Sequence, residues 1–213
     1  FGLQAASPFF PVVISSSGQT TSTEPNSTNN LLQFPATREI NGRLAGTVFN
    51  PDGSFASSNV NVKISFGTDF VIRTRTNGFY DTQIGLPALG DEGKPGVEYT
   101  VEADDPLTGL RGVANAIVLP GVTNIANVTL IGKGALGILV KHANGIVATN
   151  ASLDIAQGSF PRDHFTGVTD ANGQLTLQNS FAGTYAVGAS LVSGPTTLFG
   201  RTGAMVTPGR TSI

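Results

Sequence analysis

Hydrophobic and polar residues alternate in short runs along this chain. In residues 60–64 and again in residues 151–155, every second residue is Val, Ile, Leu or Ala, and polar residues stand between them. A period of two places the apolar side chains on one face of an extended segment, as in a strand with one buried and one solvated side. We find no amphipathic helical pattern, so the sequence predicts an all-β protein.

Turn-forming residues separate the alternating runs. Asn77-Gly78 and Asn172-Gly173 each lie between two strand-forming segments. Both residues of an Asn-Gly pair tolerate positive φ angles, and such a pair between strands is the strongest short-range signal for a β-hairpin. We therefore predict a hairpin at each pair.

Two segments of the chain share the same order of strand and turn signals. Each begins with a glycine-led strand, followed by a turn, an alternating strand, an Asn-Gly pair, a Tyr-x-Val strand and a Pro-Gly turn. The matching pieces are residues 46–49 and 137–140, 50–53 and 143–145, 60–64 and 151–155, 73–80 and 167–175, 99–103 and 185–189, and 112–123 and 203–211. This repeat predicts two tandem antiparallel β-sandwich domains, residues 42–132 and 133–213, after an extended N-terminal segment, residues 1–41.

The amino-acid composition and the net charge argue against several classes of protein function. Only 12% of the residues are charged, while Gly accounts for 27 and Pro for 12 of the 213 residues, which favours short strands and tight turns over surface helices. The net charge of −2 provides no basic stripe for nucleic acid. No apolar run approaches the roughly 18 residues of a membrane span. The chain has no cysteine, which excludes disulfides and thiolate metal sites, and we expect no cofactor.

The repeat resembles the carboxypeptidase-regulatory-like, or transthyretin-like, sandwich domains of surface proteins. The residues that carry the resemblance are 46–48, 53, 76–78 and 99–101 in the first copy, and 169–173 and 183–187 in the second. It implies Ig-like/transthyretin-like sandwiches with a passive, non-enzymatic role as spacer, adhesive unit or appendage subunit, extracellular or on the cell surface. The first copy departs from the pattern by an insert, residues 86–95, which we predict to be an exposed loop.

The two copies differ at their ends. The first continues after Pro120-Gly121 through a closing strand, whereas the second has no counterpart of residues 127–130, which predicts an open groove with unpaired backbone groups. The apolar start of the chain suits such a groove, so we predict head-to-tail strand exchange between copies of the chain. The predicted donor residues are Phe9, Phe10, Val12 and Ile14, and the predicted acceptor residues are Leu153, Ile155, Val187 and Met205.

Two other interpretations stay open. In the first, the chain is part of a longer repeat protein, an adhesin or a spacer, in which neighbouring domains are its partners and later residues supply the missing strand. In the second, the chain is a hydrolase built around His164. The sequence shows no nucleophile elbow to accompany Asp163-His164, so we predict no catalytic residue and no enzyme.

Three further patterns are better explained by structure than by chemistry. Neither His142 nor His164 has a second histidine at ligand spacing, which argues against a zinc site. Asp170 begins a stretch similar to a calcium loop, but the twelfth position is Phe181, which cannot bind a cation. We therefore expect no bound metal, and a turn at Asp170.

An internal Lys–Asn isopeptide bond has one candidate set, Lys63 with Glu102 and Asn127. Lys63 alternates with buried positions and should point outward, away from any buried carboxylate. We expect no such bond.

Overall fold

The computed structural model describes residues 40–89 and 95–213, which form sixteen strands and one short 3₁₀ turn. This part of the chain is all-β, as the alternation predicts. It forms tandem antiparallel sandwiches, called domain 1 and domain 2 below. The predicted donor residues Phe9, Phe10, Val12 and Ile14 lie outside the described residues.

Domain 1 contains the first nine strands. They are β1 Asn41–Phe49, β2 Asn61–Phe66, β3 Thr68–Arg73, β4 Phe79–Asp81, β5 Leu86–Pro87, β6 Val97–Asp105, β7 Leu110–Val118, β8 Thr123–Ile125 and β9 Val128–Thr129. One sheet is antiparallel with the order β3-β2-β6-β7. The other is centred on β1, with β4 and β5 antiparallel on one side and β8 and β9 parallel on the other.

Domain 2 repeats this arrangement with seven strands. They are β10 Lys133–Leu139, β11 Ser152–Gln157, β12 His164–Val168, β13 Gln174–Phe181, β14 Gly183–Ser193, β15 Thr196–Val206 and β16 Thr211–Ser212. One sheet has the order β12-β11-β14-β15, and the other has the order β13-β10-β16. β16 pairs in parallel with β10, as β8 does with β1.

Each domain has its own hydrophobic core, and the two cores differ in size. Domain 1 buries aliphatic residues from both sheets, among them Leu44, Ile64 and Leu130. The core of domain 2 is smaller and consists of Leu136, Leu153, Ile155, Tyr185, Val187 and Val206. Domain 2 therefore closes less of its apolar interior than domain 1 does.

A buried threonine holds the same loop in both domains. Thr74 Oγ1 accepts a hydrogen bond from the Val60 N–H (3.0 Å) and donates to the Ser57 carbonyl (3.0 Å). Thr169 Oγ1 does the same with the Ala151 N–H (2.9 Å) and the Ala148 carbonyl (2.6 Å). These shared bonds show that the sequence repeat is a structural repeat.

The predicted hairpins at Asn77-Gly78 and Asn172-Gly173 are wrong. Each pair lies in a turn that joins strands of different sheets, β3 to β4 and β12 to β13. Gly78 and Gly173 do have positive φ angles, 66° and 70°. The turn chemistry was therefore identified correctly, but the buried threonine before each turn directs the chain across the sandwich instead of back along the same sheet.

Two further details differ from the sequence predictions. The sequence repeat pairs Thr169 with Thr76, but the structural counterpart of Thr169 in domain 1 is Thr74. Thr74 makes the hydrogen bonds in domain 1 that Thr169 makes in domain 2. In the predicted exposed loop, Leu86 and Ala88 are buried, and Leu86 pairs with β1. Leu86 and Ala88 therefore belong to the domain 1 core.

Tyr80, Tyr99 and Tyr185 are all buried, and burial raises the pKa of each, so the free energy of unfolding is sensitive to alkaline pH. Tyr185 donates its hydroxyl proton to the Phe181 carbonyl (2.8 Å), and burial, with the negative charge of Asp163, raises the pKa of Tyr185 to about 12. Burial also raises the pKa of Tyr80, whose hydroxyl donates to the Ala126 carbonyl. An unfolded tyrosine loses its proton near pH 10. The folded state therefore holds these protons more tightly than the unfolded chain does.

We predict that these tyrosines do not change the free energy of unfolding below pH 10. Between pH 10 and pH 12 the free energy of unfolding should fall, because in this range the tyrosines lose their protons in the unfolded chain but keep them in the folded state. The measurement is the urea midpoint at half-unit steps from pH 8.5 to 11.5 for the wild type and Tyr185→Phe. The decline should be shallower in Tyr185→Phe. Parallel curves for the two proteins would contradict the assignment.

Candidate strand-acceptor cleft

In domain 1, the segment that follows β8 closes the gap between the two sheets. β9 pairs in parallel with Val48 and Phe49 of β1. Just after it, the Leu130 N–H donates to the Phe49 carbonyl (2.8 Å) and the Ile131 N–H donates to the Arg111 carbonyl of β7 (2.7 Å). The segment is therefore bonded to one strand of each sheet.

The closing segment shows the alternation expected of a half-buried strand. Ala126, Val128 and Leu130 are buried, whereas Asn127 and Thr129 are exposed. Its three buried side chains all belong to the domain 1 core. The segment thus completes the core as well as the backbone pairing.

A glycine makes room for this closing segment. A Cβ at Gly112 of β7 would lie 2.5 Å from the Thr129 carbonyl oxygen and 2.9 Å from Cγ1 of Val128. Both distances are too short for any larger residue, so Gly112 allows the closing segment to pack directly on the β7 backbone.

In domain 2 the same position is open. Gly112 pairs with Ala103 and Gly200 pairs with Ala189 in the matching strands, so Gly200 is the counterpart of Gly112. A Cβ at Gly200 would meet no atom of the described residues within 4 Å. Within residues 95–213, no strand pairs with Val140 and Lys141 on the side where β9 pairs with Val48 and Phe49.

The result is a cleft of about 240 Å³, which we call the acceptor cleft. Its volume exceeds the roughly 150 Å³ of an engineered apolar cavity that holds benzene. Small and apolar side chains dominate the lining. The lining residues are Val140, Lys141, His142, Ala143, Ala148, Ala151, Ala189, Ser190, Leu191, Leu198, Phe199 and Gly200.

One end of the cleft is already filled. In the structural register Val48 corresponds to Val140, because each accepts the same loop bond, from the Ala56 or the Ala148 N–H. Ile138 therefore stands where domain 1 has Gly46, whose Cβ would overlap the carbonyl of Ala126. The side chain of Ile138 thus takes space that Ala126 takes in domain 1, and the open part begins at Val140.

None of the four predicted acceptor residues is among the residues that line this cleft. Ile155 and Val187 are buried in the core of domain 2. Leu153 is also buried, and it borders a second depression of about 500 Å³. Met205 is 60% exposed and is not among the cleft residues.

Gly200, Leu198 and Phe199 were not predicted, because aligning the two copies forward along the strand pairs Gly112 with Gly203. Gly112 and Gly200 precede the Pro-Gly turns at residues 120 and 208 by the same number of residues. Counting backward from these turns, rather than forward along the strand, finds the correct counterpart.

The other candidate sites have structural explanations. Nε2 of His164 lies 2.5 Å from Oδ1 of Asp154, and both side chains are exposed on the outer face of domain 2. The carboxylate of Asp170 accepts hydrogen bonds from the backbone N–H groups of Asn172 and Gln174, both at 2.8 Å, so it stabilises its own turn. Among residues 40–89 and 95–213, no group of three or more His, Asp or Glu side chains is placed to hold a metal ion.

Lys63 is engaged in an ion pair rather than placed to attack an amide. Its Nζ lies 2.9 Å from a Glu102 carboxylate oxygen, and the hydrogen bond to Glu102 raises the pKa of Lys63. Its amine is therefore protonated and not nucleophilic at neutral pH. Asn127 lies on the other sheet, where its side-chain oxygen accepts a hydrogen bond from the Thr47 N–H (3.0 Å).

Comparison with known proteins assigns the chain to no family. No protein-family profile matches the chain, and a comparison with curated proteins found no match. The carboxypeptidase-regulatory-like assignment therefore stays a prediction. No helix in the described part of the chain is long and apolar enough to cross a membrane.

A comparison with solved structures found distant matches among bacterial proteins. A minor pilin of Streptococcus agalactiae matches with 10% identity and a TM-score of 0.45, over 80% of this chain and 92% of that one. A streptococcal ancillary pilin matches with 11% identity and a TM-score of 0.41, over 76% and 59%. The Bacillus anthracis TIE protein matches with 18% identity and a TM-score of 0.34, over 81% of this chain but only 32% of that protein. All three TM-scores lie below 0.5, so these matches define neither the fold nor the function of this chain.

Proposed function

We propose that the protein is a non-enzymatic extracellular structural subunit that associates with copies of itself by strand insertion. The observation that carries the proposal is the open acceptor cleft beside Gly200, at the position that β9 fills in domain 1. The occupant we propose is the apolar segment around Val12 from a second copy. An exposed strand edge over an apolar cleft is a ready template for such β-augmentation.

The closing segment of domain 1 suggests the register of insertion. In domain 1, the closing segment buries Ala126, Val128 and Leu130. Ile138 takes the place of Ala126 in domain 2, so only the places of Val128 and Leu130 are open to an inserted strand. In the same register Val12 lies over Gly200 and Ile14 takes the place of Leu130. The N–H of Ile14 then donates to the Lys141 carbonyl, as Leu130 does to Phe49 in domain 1.

The direction of insertion follows from the same comparison. β9 runs parallel to β1, and the chain passes from it directly into domain 2. A donor strand parallel to β10 would leave the cleft at the same end, followed by residues 15–40 and then domain 1 of the donor copy. The arrangement is head-to-tail and does not close on itself, so it favours a filament.

The expected free-energy contributions indicate that strand insertion alone gives weak association. Burying Val12 and Ile14 contributes about 1.5–3 kcal/mol each. Lost translational and rotational freedom opposes association by roughly 4–15 kcal/mol. Main-chain hydrogen bonds at the edge of β10 add to the favourable side, but a stable filament needs further contacts.

We predict that Val12→Asp raises the concentration needed for assembly at least about a hundredfold, since it would place a carboxylate among the small and apolar side chains that dominate the cleft. The measurement is sedimentation velocity of the full chain over a range of concentrations. Val13→Asp is the matched control, because the period of two places Val13 on the solvent side. Its assembly should stay within a few-fold of the wild type.

Equal effects of the two substitutions would contradict the proposed register. Assembly of Val12→Asp at wild-type concentrations would contradict strand insertion altogether. Circular dichroism of both variants is compared with that of the wild type, so that a loss of assembly is distinguished from a loss of fold.

One observation favours a second candidate, a spacer or adhesin module of a longer chain. A Cβ at Gly137 would lie 3.4 Å from Cγ1 of Ile213, which places Ile213 beside β10 next to the cleft. Sequence following Ile213 could then enter the cleft of its own domain. A chain extended with residues 126–131 after Ile213 would test this: higher thermal stability and loss of assembly together would support self-completion.

A further inference from the structure

Domain 1 shows how one sandwich is followed by the next. We call the end where β1 or β10 finishes the distal end of its domain, and the opposite end the proximal end. At the distal end of domain 1, the guanidinium of Arg111 lies 5.3 Å from the ring centroid of Phe160 in domain 2. A Cβ at Gly132 would lie 2.9 Å from Pro208 and 3.4 Å from Pro51, so the two domains meet closely there.

The distal end of domain 2 consists of the same elements, and within residues 40–89 and 95–213 no further domain covers it. By strand pairing, Leu198 and Phe199 stand where domain 1 has Leu110 and Arg111. Leu198 is 45% exposed and Phe199 is 81% exposed. Ile146, in the turn after β10, and Val192, near the tip of the β14–β15 hairpin, are 62% and 73% exposed. The described surface of this end is therefore apolar around the acceptor cleft.

The proximal end of domain 1 is apolar as well. Phe66, Leu119 and Val122 are 51%, 43% and 49% exposed. Leu119 and Val122 flank Pro120, the counterpart of Pro208, which packs at the junction inside the chain. The proximal end of domain 1 is therefore exposed, whereas the matching proximal end of domain 2 contacts domain 1 within the chain.

We infer that the distal end of domain 2 docks on the proximal end of domain 1 of a second copy, as domain 1 docks on domain 2 within the chain. The occupant is a copy of this protein because the two exposed ends correspond to the two halves of an existing junction and are both apolar. The inference shares with the proposed function the premise of self-association, but it needs no donor strand. It supplies the further contact that a filament requires.

The test uses two full-length double variants whose substitutions avoid the acceptor cleft. The distal variant carries Ile146→Asp and Val192→Asp, and the proximal variant carries Leu119→Asp and Val122→Asp. We expect each variant alone to need at least about a tenfold higher concentration to assemble than the wild type. Mixed in equal amounts, they should form a dimer and nothing larger, because the mixture contains one intact pair of ends.

A control variant separates docking from the effect of added charge. Val71→Asp with Thr166→Asp adds the same two charges, one on the outer sheet face of each domain, at exposed positions. It should assemble as the wild type does. Thermal unfolding of all three double variants checks that each still folds.

The outcomes separate this inference from strand insertion. If Val12→Asp prevents assembly while the distal and proximal variants assemble normally, docking is refuted and insertion stands. If the distal and proximal variants fail and Val12→Asp assembles, docking stands and insertion is refuted. A mixture of the two variants that remains monomeric overturns the inference, as does a wild type that is monomeric at every concentration.

Discussion

Gly112→Val is expected to lower the free energy of unfolding by about 3 kcal/mol, whereas Gly200→Val should leave it within about 0.5 kcal/mol of the wild type. The two glycines stand at matching positions of β7 and β15. A side chain at Gly112 would collide with the Thr129 backbone and push the closing segment off the core. A Cβ at Gly200 would meet no atom within 4 Å in the part of the chain that the structure describes.

The measurement is urea unfolding of both variants, with the slope of each transition checked because the two domains need not unfold together. Gly200→Val should also prevent assembly, because its side chain would occupy the place of the inserted strand. A large loss of stability in Gly200→Val would mean that the cleft is filled within the chain. An unchanged stability in Gly112→Val would mean that β9 does not pack on β7.

Thr169→Val should destabilise domain 2 by about 2–4 kcal/mol. The substitution keeps the shape of the side chain but leaves the Ala151 N–H and the Ala148 carbonyl without a partner at a site that is 1% exposed. Each buried polar group left unsatisfied costs about 1–3 kcal/mol. Thr74→Val should have a similar effect in domain 1, where the corresponding bonds are slightly longer.

Thr166→Val is the matched control for Thr169→Val. Thr166 is exposed on β12, and a β-branched replacement there keeps the strand propensity. Its midpoint in urea should stay near that of the wild type. Equal midpoints for Thr166→Val and Thr169→Val would show that the buried hydroxyl contributes nothing to stability.

The sequence was sufficient to predict the fold class. Alternation at residues 60–64 and 151–155 identifies β2 and β11, because a sheet with one buried face leaves this pattern in any sequence. Positive φ angles at Gly78 and Gly173 agree with the turns that the Asn-Gly pairs mark. These features are local, and local chemistry is visible in a sequence.

The routes between sheets could not be predicted, since they depend on contacts between distant residues. The crossing after Thr169 is fixed by bonds to Ala148 and Ala151 on another loop. The alternation of Leu153 and Ile155 shows that they are buried, but not whether they lie beneath a cleft or on its wall. Gly200 had no visible role until the packing at Gly112 was known.

The parallel pairing of β1 with β9 determines how domain 1 would respond to tension. The two strands enter and leave the domain at opposite ends, so a pull along the protein loads their hydrogen bonds together, in shear, instead of opening them one after another. A strand inserted parallel to β10 would be loaded in the same way. Each joint of such a fibre would then resist stretching through the same geometry that closes a single sandwich.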